Sequence, residues 1–333
     1  MKLINEIKRF IKKNLLFILL LIFIYLLFNI DFSYVVYRPG GMINVRDRIN
    51  SKSEYKEKGS LNLTYVNVVK GSIPFLALSK VVPNWDLVEK DDVTYDGMSL
   101  DETEKINKIL MDEAISNASY AAFKEAKINY SIKSTKYVVT NTHELVKKLK
   151  YGDELISING IPIKSTDDIK VSLQNKKIGD KVTIKIKRDK KEKEVNLNLI
   201  GINNTPRIGI SYAVIHKFNT VYNIKVKTKS SESGPSGGLM TSLEIYNMIT
   251  KSDLTKGRKI SGTGTIESDG TVGAIGGVKY KLLGAEKKKS NIFICPKENY
   301  KDALKIKKDN NLKIKVYGVN NLKEAINLLN SNL

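Results

Sequence analysis

Cysteine is nearly absent from this chain, with one, Cys295, in 333 residues. A single thiol excludes an intramolecular disulfide and any cysteine-rich metal site. Its neighbours Asn291-Ile292-Phe293-Ile294 read as a buried strand, so the thiol is expected in the core. Histidine is almost as scarce, with His143 and His216 only, so a Ser-His-Asp triad would have to recruit His216. No G-x-x-x-x-G-K-[ST] occurs, and an ATPase motor is therefore not expected. Negative charge is in deficit, with 35 Asp and Glu against 56 Lys and Arg, a formal net charge of +21. The excess is mostly Lys and is spread along the chain. It comes without zinc-finger spacing, an RNP-like aromatic pattern or an evident helix-turn-helix, so it reads as solvated faces and no nucleic-acid partner is expected. Beside a membrane, the same surface would feel anionic lipid or envelope polymer.

Apolar runs are short except for one. Leu15 to Phe28 is unbroken, and Lys2, Lys8, Arg9, Lys12 and Lys13 precede it, opposed only by Glu6. The run is shorter than the ~20 residues that span a bilayer comfortably. Tyr34, Val35, Val36 and Tyr37 can extend it, although Asp31 interrupts. A cleaved signal peptide has an apolar region of similar length, but no small-x-small cleavage site follows. The segment 14–36 is therefore expected to be an uncleaved signal anchor in the lipid bilayer. The basic tail 1–13 would be cytoplasmic, and everything after about residue 38 would lie outside.

Beyond Arg38-Pro39-Gly40-Gly41 a polar stretch reaches Gly59. Leu61, Leu63, Tyr65, Val66, Val68 and Val69 suggest a strand, and Ile73 to Val82 a short helix. From Leu100 to Lys127, Ile106, Ile109, Leu110, Ala114, Ala118, Ala121 and Ala122 recur at threes and fours, which predicts a long helix with an Ala-rich packing face. From Tyr137 to about Leu199 short strands and one helix alternate. Gly152-Asp153-Glu154-Leu155-Ile156-Ser157-Ile158-Asn159-Gly160 is a turn, a strand and a second turn. A helix then starts near Ser165 and a strand covers Val182 to Ile186. This succession resembles a PDZ domain over 130–200. The resemblance implies a peptide groove between a strand edge and the 165–175 helix, with the carboxylate loop just before Tyr137-Val138-Val139 as peptide-binding residues. No Gly-Leu-Gly-Phe stands at that loop, so a purely structural module is an alternative.

Tyr222 to Lys227 alternates as a half-buried strand does and feeds Ser231-Glu232-Ser233-Gly234-Pro235-Ser236-Gly237-Gly238. Leu239, Leu243, Tyr246 and Ile249 then mark a helix, so Ser236 sits at a helix amino terminus, where free amides and the helix dipole could hold an oxyanion. An ordinary serine N-cap would look the same. Thr263-Gly264-Thr265-Ile266 and Gly273-Ala274-Ile275-Gly276-Gly277-Val278-Lys279-Tyr280-Lys281 follow. In this order the three segments resemble the catalytic core of the Lon protease family, with its Gly-Pro-Ser-x-Gly, Thr-Gly and Ile-Gly-Gly-x-Lys motifs. The resemblance makes Ser236 the nucleophile, Lys279 the general base and Thr263 a hydroxyl that helps hold the lysine. Gly234 and Gly237 let a substrate backbone approach, and Lys281 is a weaker candidate for the base, two residues off the motif position. The chain departs from energy-dependent relatives at Thr265, where Glu is usual, and at Ser233, where Asp is usual.

The expected fold class is α+β. A Lon-type proteolytic core over 202–333 would be joined by a first part at 60–128, with the PDZ-like module inserted between them and a transmembrane helix in front. The arrangement resembles bacterial membrane-anchored PDZ-Lon proteins, which implies an endopeptidase acting on extracytoplasmic proteins or peptides, without a cofactor. A membrane-tethered peptide-binding scaffold is the rival reading. The resemblance leaves a homo-oligomer open.

Overall fold

A computed structural model describes residues 2–30, 32–52, 55–95 and 97–331. Its helices are α1 (Lys2–Lys13), α2 (Leu15–Asn29), α3 (Ile73–Val81), α4 (Leu100–Glu125), α5 (Thr166–Ser172), α6 (Gly238–Thr250), α7 (Val278–Lys287), α8 (Lys297–Asp309) and α9 (Leu322–Asn330). Two six-stranded sheets organise everything after α2.

The first sheet has the order Lys315–Val319, Ile292–Pro296, Lys259–Gly262, Ser60–Lys70, Tyr34–Asn44 and Asp86–Glu89. Its first four strands run parallel, and the last two are antiparallel to their neighbours. A parallel strand covered by helices on both sides must be apolar at every position, and Ile292-Phe293-Ile294-Cys295-Pro296 is buried throughout. Alternate side chains point to opposite faces. Ile292 and Ile294 join the Ala-rich face of α4, together with α6 and α9. Phe293 and Cys295 pack with α7 and α8 on the other side. Burial pushes the Cys295 thiol up to about 12, as befits a core residue.

Strand 60–70 pairs with Lys259–Gly262, so residues 60–128 and the carboxy-terminal third share one sheet and one core. The sheet also takes in residues that the sequence placed elsewhere. Tyr34, Val35 and Val36 do not extend the apolar run. They start an eleven-residue strand whose Val35 and Val36 pair with Lys70 and Val69 on one edge and with Val88 and Leu87 on the other. The membrane segment drawn at 14–36 is thus corrected at its end, because β-branched residues flanked by two available strands are worth more in a sheet than in a helix extension. Asp31, read as the interruption, lies outside the described residues. No single helix among the described residues is long and apolar enough to cross a membrane; α1 and α2, bent by 73° at their junction, reach that length only as a pair.

The second sheet has the order Ile210–Asn219, Ser131–Thr142, Glu154–Ile158, Lys181–Arg188 and Lys191–Asn198, with Ile161–Pro162 paired to Glu154–Ile158. Its own core collects Val139, Ile158, Ile184, Ile186 and Leu199 under α5. Ser165 caps α5 through a capping box with Asp168. The chain leaves the first domain at the end of α4 and returns to it after the 210–219 strand. That strand lies against α4, where Glu113 accepts from the Val214 amide at 2.7 Å and Ser116 from the His216 amide at 2.9 Å.

Glu244 on α6 is fully buried, and both its carboxylate oxygens lack a hydrogen-bond partner. Burial first, and then repulsion from Glu57, pushes it up to about 8. A carboxyl raised in the folded state contributes stability below its unfolded pKa, and that contribution is lost as pH rises through the folded value. Glu244→Gln should accordingly raise the melting temperature most at about pH 9, less at about pH 6 and little at about pH 4. Thermal melts of the two proteins across that range check this.

Candidate active site

Ser236 stands in a single 3-10 turn, Pro235–Gly237, that runs directly into α6. The turn is held from three sides. The Gly234 amide donates to the Asn107 carbonyl of α4 at 3.0 Å. With φ of 95° and ψ of 150°, Gly234 occupies a conformation closed to residues with a Cβ. The Glu232 carboxylate ion-pairs with Arg48, and its other oxygen accepts from the Lys229 amide. Beyond the serine, the Gly264 amide donates to the Ser236 carbonyl at 2.8 Å and the Leu239 amide to the Gly264 carbonyl at 3.1 Å. A Cβ at Gly238 would stand 2.7 Å from Ile266, so glycine is required where α6 crosses that strand.

The serine hydroxyl meets Lys281. Its Nζ lies 3.0 Å from Ser236 Oγ and 3.2 Å from Thr263 Oγ1. Thr263 is fully buried, and its hydroxyl in turn donates to the Ser236 carbonyl at 3.1 Å. Lys281 is only 5% exposed. Burial pushes its pKa down to about 8, and no ion pair to a carboxylate is formed by it among the described residues.

The sequence expectation that Lys279 faces Ser236 is corrected. Its Nζ is bonded to Asp86 Oδ2 at 2.6 Å, and Tyr280 donates its hydroxyl to the same oxygen at 2.7 Å. Burial raises the Asp86 carboxyl, but these two hydrogen bonds outweigh it and the net pKa is lowered. Helix α7 begins at Val278, and positions two apart on a helix differ by about 200° of rotation, so Lys279 and Lys281 cannot both reach one hydroxyl. The signal was present in the periodicity. Lys281 lies three or four residues from Val278, Gly284 and Ala285, all buried, whereas the corresponding neighbours of Lys279 are Leu282 and the half-buried Leu283. The residues that hold the turn and the off-site lysine, Arg48, Asn107 and Asp86, carry no motif and escaped the sequence reading.

Gly237 lies in the turn with room for a Cβ at ordinary contact distance from Leu63. Thr265 begins a short strand paired with Val272–Gly273, and Ser233 is exposed. His216 is not part of this cluster. Its ring Nδ1 is bonded to Thr135 Oγ1 at 2.9 Å in the second sheet.

Tyr137, Val138 and Val139 do not line an open groove. The strand that carries them pairs on both edges, with Ala213 and Val214 on one side and Leu155 and Glu154 on the other, and all three residues are buried. No peptide can add to a strand whose two edges are taken. The free edge belongs to the 210–219 strand, whose Tyr212 and Val214 share a cluster with Ile169 of α5.

A Ser and a desolvated Lys stand at hydrogen-bond distance at the head of a helix in an α+β core, the arrangement of a hydroxyl beside an amine base. The comparisons place a protease domain over this segment. Residues 209–331 match the Lon protease (S16) C-terminal proteolytic domain, and residues 127–199 match a PDZ domain. This chain therefore carries a Lon-type protease domain together with a PDZ domain, and protein or peptide substrates suit both. The chain is 31% identical over 124 residues to a Lon protease of Dictyoglomus thermophilum, a stretch covering 36% of this chain and 15% of that protein. It is 36% identical over 99 residues to a Lon protease of Finegoldia magna, covering 28% and 12%. A match to the Lon protease of Rickettsia typhi, 23% identical, extends over 66% of this chain and 27% of the relative. The matched stretches are thus a minor part of the curated relatives. Among solved structures, the PDZ domain of an SdrC-like protein from Listeria innocua is 33% identical, covering 23% of this chain and 92% of that one with a TM-score of 0.22.

The folded pKa of Lys281 lies below its unfolded value, so its contribution to stability is present above the unfolded pKa and is lost as pH falls through about 8. Lys281→Met, which removes the charge and keeps the length, should raise stability at neutral pH by on the order of 1–3 kcal/mol. The same variant should abolish labelling of Ser236 by a fluorophosphonate, whereas Lys279→Ala keeps it. Urea titration and probe labelling of the two variants check both outcomes.

Proposed function

We propose that this chain is an ATP-independent, membrane-tethered serine endopeptidase in which Ser236 is the nucleophile and Lys281 the general base. The observation that carries the reading is the 3.0 Å contact between Lys281 Nζ and Ser236 Oγ, made by an amine whose burial lowers its pKa to about 8. An amine with that pKa is neutral in roughly a tenth of molecules at pH 7, enough to accept the serine proton as the hydroxyl attacks a peptide carbonyl. The protonated amine then returns that proton to the substrate's leaving nitrogen as the peptide C–N bond breaks, which leaves an acyl-serine for water to hydrolyse. Thr263 positions the amine and ties it to the serine backbone. The Gly238 and Leu239 amides are already given to the Pro235 and Gly264 carbonyls, so an oxyanion at this turn would draw on the amides of residues 236 and 237.

The substrate has a place to lie. Strand 60–70 pairs with Lys259–Gly262 only as far as Leu63, and beyond it the same edge opens into a cleft of about 1000 Å³ that contains Ser236 and Lys281. An extended peptide added along this edge would present its carbonyl to the serine, against Val66, Val68, Met111 and Ile115. A second peptide site would lie on the free edge of the 210–219 strand, next to α5. Glu113 and Ser116 of α4 occupy that edge at Val214 and His216, which restricts an added peptide to the end near Ile210 and Tyr212. Selection of substrates through that edge is part of the proposal.

The tether would be α2, an apolar helix with no buried residue and with the lysines of α1 before it. The excess of Lys and Arg at the amino terminus favours a cytoplasmic tail and an extracytoplasmic catalytic domain. Full-length protein in detergent should hydrolyse casein or unstructured peptides without nucleotide, with kcat/KM rising to a plateau through about pH 8. Ser236→Ala and Lys281→Ala should each lower it by about 10³-fold or more, and Lys279→Ala by no more than about tenfold. Equal turnover by wild type and Ser236→Ala would exclude the protease reading. Peptide binding with no turnover by any of the proteins would favour the scaffold.

A further inference from the structure

Helix α3 presents an exposed apolar face. Ile73, Ala77, Leu78 and Val81, at the spacing of one helical face, are all exposed, Val81 to 75%. Single exposed hydrophobes are ordinary, but four on one short helix are a contiguous patch. The opposite side of the helix is anchored, with Leu76 against Gly71 and Phe75 beside Trp85. Trp85 lies under the Arg38 guanidinium at 5.0 Å, and exposed Lys70 and Lys80 flank the helix.

Two observations say what covers this face. The first is position along the chain. Only residues 30–33 separate the end of α2 from the strand at Tyr34, a reach of no more than about 14 Å. The Gly71 amide, just before α3, donates to the Tyr34 carbonyl at 3.0 Å. The foot of α3 is thus tied to the residue at which the chain leaves α2, and α2 and α3 are in contact. The second is length. The fifteen residues of α2 span only about 22 Å, less than the roughly 30 Å of a bilayer's hydrocarbon. A short span draws its flanking residues into the interface.

We infer that α3 lies in the headgroup region of the bilayer with Ile73, Ala77, Leu78 and Val81 facing the acyl boundary, so that the catalytic domain docks on the membrane surface in one fixed orientation. Trp85 and the basic side chains sit at the rim, the level that amphipathic aromatic and cationic groups favour. The cleft follows strand 60–70 as far as Lys70, three residues before α3, so one end of it lies close to the docked face. Substrate segments close to a membrane would reach Ser236 most readily. The inference rests on the proposed tether, and the experiment separates the two.

Trp85 is the only tryptophan of the chain, so its emission reports on the surroundings of α3 alone. Full-length protein would be reconstituted into phosphatidylcholine–phosphatidylglycerol vesicles and floated, and Trp85 emission measured with lipids brominated near the glycerol or at mid-chain. Shallow bromines should quench Trp85 strongly and deep ones weakly. The triple variant Ile73→Asp, Leu78→Asp, Val81→Asp should cut the shallow quenching at least about twofold while the protein still floats and still cleaves peptide. Floating protein whose Trp85 is not quenched overturns the docked face and leaves the tether standing. Protein that does not float overturns both. Quenching untouched by the triple variant, or lost as protein concentration rises because a second copy covers the face, also overturns the inference.

Discussion

An ammonium at the end of Lys281 would find two hydroxyl oxygens and a dry surrounding, with no carboxylate to pair with among the described residues. Much of the first domain can be read as the arrangement that keeps it so. Its helix is seated by Gly277, where a Cβ would stand 2.6 Å from Val66. Thr263 is placed by the end of the 259–262 strand, and Ser236 by a turn tied to α4 and to Arg48. The neighbouring Lys279 is drawn off by Asp86 and Tyr280, so a second positive charge is held away from the amine. The site carries a cost in stability, as a desolvated amine must, and the apolar core around Leu239, Leu243 and Ile260 offsets it.

Charge placement also separates two buried groups of one domain. Lys281 and Glu244 are both favoured in their neutral forms, so one is strained as pH falls and the other as pH rises. Their combined contribution to stability is therefore smallest near pH 8, the range in which the Lys281 amine is partly neutral.

Much of this was legible beforehand. The PDZ segment was visible because Gly152 to Gly160 combines turn residues with strict alternation, and the turn that holds Ser236 because Gly234-Pro235-Ser236 precedes a helical pattern. The Ala-rich face of α4 followed from its spacing, and it packs as that spacing predicts against α6. What failed did so for definable reasons. A motif position was trusted over helical phase, which put Lys279 where Lys281 belongs. Short apolar runs are ambiguous between membrane and sheet, and Tyr34 to Val36 went to the wrong one. Tyr137 to Val139 looked like a groove strand because the partner on its second edge is supplied some 75 residues later, at Ala213. Pairings at such separations leave no local trace. Arg48, Asn107 and Asp86 are invisible for the same reason.

The strand that carries the cleft waits for partners far along the chain. Asn62 donates to the carbonyl of Ile260, 198 residues away, and the sheet is completed at its far side only by Lys315–Val319. Parallel pairings across such distances form slowly, because the closure entropy is spent before the contacts repay it. During synthesis the residues that precede Ser236 are therefore made long before the sheet that orients it, and Lys281 meets the serine hydroxyl only once nearly the whole polypeptide has emerged. The pairing of that hydroxyl with its amine is thus among the last contacts the growing chain can make.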